Sequence, residues 1–124
     1  MKGILECCVD SVESAIAAKN GGADRLELCQ GLVIGGVTPG TALFQEIKNQ
    51  MDIRIHALMR PRFGDFCYTR HEIDILCEDI RTFRKQNHLH GTDTRMIQSH
   101  TVSLPVNNLY SVKILSVQHM RNLL

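Results

Sequence analysis

The chain has 124 residues, of which 44% are hydrophobic and 22% are charged, and its formal net charge is +1. This length fits one domain, and the balanced charge excludes a strongly basic nucleic-acid binder or membrane-surface protein. No apolar run approaches the roughly 20 residues of a membrane helix, and the N-terminus has no pattern of a secretion signal. The five cysteines lack the layout of a small disulfide-bonded domain, so free thiols and a cytoplasmic protein are expected.

The N-terminal part of the chain has the pattern of a strand, a helix and a second strand. Both strands end in a Glu-x-Cys signature, formed by Glu6 and Cys8 in the first strand and by Glu27 and Cys29 in the second. Because side chains alternate along a strand, each glutamate shares a face with its cysteine. If the strands are parallel neighbours about 4.8 Å apart, the two carboxylates and the two thiols are expected in register at the carboxyl ends of the strands.

Capping residues define two helices in this region. Asp10 and Ser11 are favourable N-caps for the first helix, and the Asn-Gly-Gly sequence at 20–22 provides its C-terminal stop. Thr38 and Pro39 are predicted to open the second helix, because proline is well tolerated in a first turn, where its missing N–H is not needed. Each predicted helix therefore follows a predicted strand.

The same pattern repeats once more and then weakens. A third strand is predicted over 53–59, a polar loop over 60–68, and a third helix after Thr69 and Glu72, which have the spacing of a capping box. Three successive strand-helix units predict an α/β fold with a parallel sheet. Further strands are expected within 91–97 and 114–117, with a helix or a loop at 107–111, although Asp93 and Arg95 are poorly suited to a strand buried on both faces.

Four stretches of the chain, 5–15, 20–29, 35–39 and 59–68, closely resemble in sequence and order the copper homeostasis protein CutC family. The resemblance implies a cytoplasmic (β/α)8 barrel, usually oligomeric, that has been linked to Cu(I) binding and copper tolerance and that looks like the barrel of an enzyme. Phe63 departs from the family, which usually has glycine at this position.

A complete (β/α)8 barrel typically needs about 250 residues, whereas this chain has 124. We therefore expect a single partial TIM-barrel domain over 1–124, truncated to roughly the first four or five strand-helix units. Residues 1–87 match the family well, and residues 88–124 are interpreted as a degraded continuation. Such a remnant is expected to expose two sheet edges and an apolar barrel interior, and for this reason to form homo-oligomers.

Cys8 and Cys29 are the candidate Cu(I) ligands that the resemblance implies. In a barrel of this type the active site lies at the carboxyl ends of the strands, and soft thiolates select Cu(I) over harder metals. The competing interpretation is that both cysteines are small apolar residues that fill the barrel interior.

Glu6 and Glu27 are a second pair of candidate site residues. An ionised carboxylate inside a barrel is costly unless it is paired. The two glutamates therefore either form salt bridges with arginines such as Arg25 or Arg60, or act as a catalytic general acid and base. The sequence gives no preference between these roles.

A further charged group lies in the loop after the third strand. Arg60 and Arg62 are suited to clamp the carboxylate or phosphate of a small anionic metabolite, and Asp65 is suited to orient an arginine or to act as a catalytic base. The alternative is a loop stabilised by its own Arg-Asp pair. His56, inside the third strand, is interpreted as a hydrogen-bonded core residue rather than a ligand.

Three functions follow from these residues. The leading hypothesis is a cytoplasmic copper homeostasis protein that binds Cu(I) through cysteine thiolates. The second is a TIM-barrel enzyme of unknown reaction that acts on a small anionic metabolite. The third is a non-functional, truncated fragment.

Overall fold

The computed structural model describes residues 3–90, 95–97, 102–103 and 111–112. Strands and helices alternate along the chain, with a short 3₁₀ helix at Leu32–Ile34 between the second strand and the second helix. The elements are β1 Glu6–Val9, α1 Val12–Asn20, β2 Arg25–Leu28, α2 Thr41–Gln50, β3 Arg54–Leu58, α3 Arg70–His90, β4 Arg95–Ile97, β5 Val102–Ser103 and β6 Ser111–Val112.

The first four strands form one parallel sheet in the order β1-β2-β3-β4. This arrangement confirms the predicted α/β fold, and the alternation of parallel strands and helices is that of part of a (β/α)8 barrel. β5 and β6 pair separately and antiparallel, so this pair is not a further strand-helix unit. The strand predicted at 114–117 lies outside the described residues.

Two predicted helix starts are confirmed by their hydrogen bonds. The Ser11 hydroxyl accepts a bond of 3.1 Å from the Ser14 N–H, and the Ser14 hydroxyl accepts one of 3.2 Å from the Ser11 N–H, so the two serines cap α1 reciprocally. At α3, Thr69 and Glu72 form the predicted capping box, with the Thr69 N–H donating to Glu72 Oε2 at 2.7 Å. Asp10 instead accepts a bond of 3.1 Å from the Leu32 N–H.

The predicted start of the second helix is wrong by two residues, because α2 begins at Thr41 with Gly40 as its N-cap. Thr38 is held by the end of β3 instead. Its N–H donates to the Arg60 carbonyl at 2.8 Å, and its hydroxyl accepts a bond of 2.9 Å from the Arg60 N–H. A tertiary contact therefore uses the side chain that was expected to cap the helix.

The hydrophobic core lies between one face of the sheet and the helices. Phe44 of α2 and Phe83 of α3 meet edge to face, with ring centroids 5.3 Å apart. They pack with buried residues of the strands and of α1, including Val9, Ala15, Leu26, Leu28, Ile55 and Ala57. Within the described part of the chain, no helix combines the length and the apolar character needed to cross a membrane.

The opposite face of the sheet carries polar side chains, so the expectation of an apolar barrel interior is wrong for this face. Alternation along the strands places Glu6 beside Arg25 at one level and Cys8 beside Glu27 at the next. The expected register of carboxylate with carboxylate is therefore also wrong, since β2 is shifted by two residues. Glu27 is in turn paired in register with His56.

Candidate functional site

The thiols of Cys8 and Cys29 lie at the carboxyl ends of β1 and β2, on the polar face of the sheet. Cys8 is exposed, whereas Cys29 is only 2% exposed and its Sγ donates to the Val9 carbonyl at 3.7 Å. Cys8 is in register with Glu27, two residues before Cys29. From ordinary strand spacings the two Cα atoms are then about 8 Å apart, so both side chains must turn toward each other to share one ion.

Desolvation and neighbouring carboxylates keep both thiols protonated. Partial desolvation, followed by the charges of Glu27 and Glu6, raises the pKa of Cys8 above its usual value. Burial, followed by the charge of Asp10, raises the pKa of Cys29 to about 11. Because only a thiolate binds metal well, an ion that enters here must displace both protons.

Cys8 and Cys29 are the two thiol ligands predicted for copper. Among the described residues they do not belong to a larger set of metal ligands. Within the residues whose side chains are described, no group of three or more His, Cys, Asp or Glu side chains is arranged to hold a metal ion. The donor set that fits a metal is therefore two thiolates, which suits soft Cu(I) rather than Zn²⁺ with its four ligands.

Glu6 joins a charged cluster on the same polar face. Its Oε2 accepts a hydrogen bond from Arg25 Nε and lies 3.2 Å from His56 Nδ1. The salt bridge with Arg25 confirms one of the two alternatives left open by the sequence. His56 is 4% exposed, in agreement with its interpretation as a core residue, while a catalytic role for Glu6 or Glu27 stays a prediction.

Arg62 organises the loop after β3. Its Nε donates to Glu72 Oε1 at 2.6 Å, its Nη2 donates to Asp65 Oδ1 at 2.9 Å, and its guanidinium lies over the Tyr68 ring, 5.3 Å from the centroid. The loop therefore contains the Arg-Asp pair of the structural alternative. The hydrogen bond from Arg62, with a second from the Cys67 N–H, lowers the pKa of Asp65, which is accordingly a weak base.

Arg60 differs from Arg62 in its partners. Its Nη1 donates to the Gly36 carbonyl and its Nη2 to the Gly64 carbonyl, both at 3.0 Å, and its guanidinium lies 5.1 Å from the centroid of the Phe66 ring. No carboxylate of the described residues forms an ion pair with it. Among the described residues, carboxylates therefore compensate the charge of Arg62 but not that of Arg60.

Gly36 lies beside the candidate site although the sequence did not single it out. It lies directly against Cys29: a Cβ atom built on Gly36 would be 3.1 Å from Cys29 Cβ and 3.2 Å from Cys29 Sγ. The available signal was the Gly35-Gly36 doublet that follows Cys29 within one loop. Only the folded chain shows which of the two glycines makes the close approach.

Comparison with known proteins gives the family. The family model described as "CutC family" matches residues 3–108. A human protein named "Copper homeostasis protein cutC homolog" is 47% identical over 90 residues, which are 73% of this chain and 32% of that protein. The mouse protein of the same name is 44% identical over 90 residues, again 73% of this chain and 32% of that protein.

A solved structure agrees with these sequence matches. The crystal structure of the CutC protein of Streptococcus agalactiae is similar with a TM-score of 0.59 and 26% identity, and the match covers 78% of this chain and 48% of that chain. The chain thus spans 32% of the length of the mammalian relatives and about half of the crystallised one. On the extent of the family match, the chain belongs to the CutC family.

Proposed function

We propose that this chain serves copper homeostasis in the cytoplasm by binding Cu(I) through the thiolates of Cys8 and Cys29. The observation that carries the proposal is the position of both thiols on one face of adjacent parallel strands, at the carboxyl ends where such barrels hold their sites. The names of the human and mouse relatives support a role with copper.

The different exposure of the two thiols supports a binding sequence. Cys8 is exposed and receives the ion first, whereas Cys29 is buried and must release its bond to the Val9 carbonyl before it binds. Each thiol loses its proton on binding. The five cysteines are all free, as expected for a protein of a reducing compartment.

The test is an anaerobic Cu(I) competition titration of the full chain and of the variants Cys8→Ser, Cys29→Ser and both together. We expect one Cu(I) per chain, with binding lost in either single variant. Cys67→Ser is the matched control, because Cys67 is equally exposed but lies in the loop after β3. Unchanged affinity in both single variants would contradict the proposal, and heterogeneous aggregates in light scattering would favour a non-functional fragment.

A second candidate function is an enzyme that acts on a small anionic metabolite, bound by Arg60. The uncompensated charge of this guanidinium favours it, since copper binding does not need such a group. Glu6, Glu27 and Asp65 are the acid and base candidates, and Arg62 shapes the loop. A metabolite screen by thermal shift tests this function. Hits that persist in Arg60→Met would count against it.

Self-association is the remaining part of the proposal. Among the described residues, β1 forms one end of the four-stranded sheet with no strand on its outer side, and the preceding Ile4 and Leu5 are exposed. An open edge of this kind pairs readily with another strand, which supports a homo-oligomer. Size-exclusion chromatography with light scattering at several concentrations tests this, and a monomer at every concentration would contradict it.

A further inference from the structure

The loop that follows β2 forms a cover over Cys29. Residues 31–36 make up this cover loop, which is closed at its base by two backbone hydrogen bonds between Gln30 and Val37, of 3.0 and 2.8 Å. At its C-terminal end, next to Val37, Gly36 adopts φ +83 and lies against Cys29 and Leu58. The backbone of the cover loop thus packs directly against the buried thiol.

The tip of the cover loop makes few contacts of its own. Its 3₁₀ helix presents Leu32, Val33 and Ile34 to solvent, and Val33 is 97% exposed. Apolar side chains that remain exposed contribute little to holding a segment in place. The closed position therefore depends on polar bonds, namely those at the two ends of the loop and the bond of 3.1 Å from the Leu32 N–H to Asp10 Oδ2.

Arg60 supplies the polar bond nearest to the covered thiol. Its Nη1 donates to the Gly36 carbonyl, and its Nη2 donates to the Gly64 carbonyl, so the guanidinium links the cover loop to the loop after β3. The Arg60 backbone is itself fixed by Thr38. A rigidly held cation thus pins the segment that seals Cys29.

We propose that Arg60 is a latch on the cover loop and that a small anion, by competing for the Arg60 N–H groups, releases the loop and opens access to Cys29. A phosphate or carboxylate oxygen is a stronger acceptor than a backbone carbonyl, and the positive charge of Arg60 has no carboxylate partner among the described residues. The proposal rests on the proposed function of both sites, since it makes the anion site the control of the copper site.

The coupling is reciprocal in this arrangement. If the ion bound at Cys29 also holds the loop open, it raises the affinity of Arg60 for the anion by the same factor as the anion raises the affinity of Cys29 for the ion. Access to Cys29 is nevertheless measurable without copper. A failure of Cu(I) binding and a failure of the latch are therefore distinguished by separate experiments.

The test follows alkylation of each cysteine by iodoacetamide in the native, full-length chain. Trypsin cleavage after Arg25 and Lys48 leaves Cys29 as the single cysteine of its peptide, and Cys77 is likewise alone on residues 71–81. Mass spectrometry of the two peptides gives a rate for each site. The Cys77 rate is the internal reference for changes outside the cover loop, because this partly exposed residue lies on α3.

The expected result is an acceleration at Cys29 alone. In Arg60→Met, which keeps most of the side-chain length, the Cys29 rate rises about tenfold, the factor expected when one hydrogen bond from a charged donor is lost. Arg81→Met is the matched control, since Arg81 is an exposed arginine paired with Glu78 and its loss leaves Cys77 as the single cysteine of residues 71–84. An Arg60→Met rate at Cys29 equal to that of Arg81→Met would overturn the latch.

Inorganic phosphate tests the anion in the wild-type chain. We expect phosphate to accelerate Cys29 alkylation relative to chloride of equal ionic strength, and to have no effect in Arg60→Met. Equal rates in the two salts would overturn the anion part of the proposal.

A urea series on the wild-type chain covers the case in which Arg60→Met does not fold. Local opening predicts a Cys29 rate that is nearly independent of urea at low concentration, whereas exposure only by global unfolding predicts the full urea dependence of unfolding measured by circular dichroism. Equal urea dependence of the Cys29 rate and of global unfolding would show that no separate cover opens.

Discussion

Replacing Gly36 by alanine tests whether the cover loop presses on Cys29. The added Cβ would lie 3.0 Å from Leu58 Cδ2 and 3.1 Å from Cys29 Cβ, closer than such atoms normally approach. Overpacking of this kind typically costs about 1–3 kcal/mol. Alanine at φ +83 adds a backbone strain of about 1–2 kcal/mol. We therefore expect Gly36→Ala to lower the free energy of unfolding by about 2–5 kcal/mol.

Gly22→Ala is the matched control for this substitution. Gly22 has φ +93, similar to Gly36, but a Cβ atom built there has no neighbour within 4 Å. It therefore carries the backbone strain without the overlap, and we expect a loss of only about 1–2 kcal/mol. The difference between the two variants isolates the contact of the cover loop with Cys29 and Leu58.

Urea unfolding followed by circular dichroism measures both losses under identical conditions. If the two alanine variants lose the same stability within about 0.5 kcal/mol, a value below the expected cost of overpacking, then Gly36 does not press on Cys29 and the cover is loose. Combining Gly36→Ala with Cys29→Ala removes one of the overlapping atoms, Sγ. We expect the double variant to recover part of the loss, as a positive coupling between neighbouring sites.

Three further predictions concern the thiols and the charged clusters. The pKa of both Cys8 and Cys29 is raised, so each bound Cu(I) displaces two protons. The affinity for Cu(I) should therefore rise up to about 100-fold per pH unit between pH 6 and 8. A competition titration that does not depend on pH would contradict this. Glu6→Gln removes the negative partner of the partly buried Arg25 and should lower the free energy of unfolding in urea by about 1–3 kcal/mol. No change would show that the salt bridge between Glu6 and Arg25 does not stabilise the fold. Arg62→Met removes two ion pairs and three hydrogen bonds to carbonyl groups. It should cost more stability than Arg70→Met, which loses one exposed pair worth less than about 1 kcal/mol. Equal melting temperatures of the two variants would contradict this prediction.

Local signals in the sequence were sufficient where a contact spans only a few residues. Ser11 and Thr69 could be assigned as helix caps because their partners lie three positions away. The parallel sheet followed from the alternation of strands and helices. The salt bridge of Glu6 with Arg25 was among the alternatives, since both residues occupy neighbouring predicted strands.

Long-range contacts caused the errors. The shift of β2 by two residues is a property of the pairing between separate strands, so it cannot be derived from the two Glu-x-Cys signatures. Thr38 does not start α2 as predicted, because its hydroxyl and amide bind the backbone of Arg60, 22 positions later. Arg60 binds carbonyl groups and Arg62 binds carboxylates. This difference likewise depends on contacts between separate parts of the chain, and no sequence pattern predicts it.

The polar face of the sheet affects the solvation of the molecule. A parallel sheet with an apolar second face would tend to bury that face against the apolar surface of a partner. Here Glu6, Arg25, Glu27 and Arg54 give the face alternating charge, so a hydration layer satisfies it without a partner. Contacts between molecules should then form through main-chain hydrogen bonds at the margin of β1, which are directional and depend on strand alignment. Association of this kind should resist added salt and should be blocked by a proline in β1.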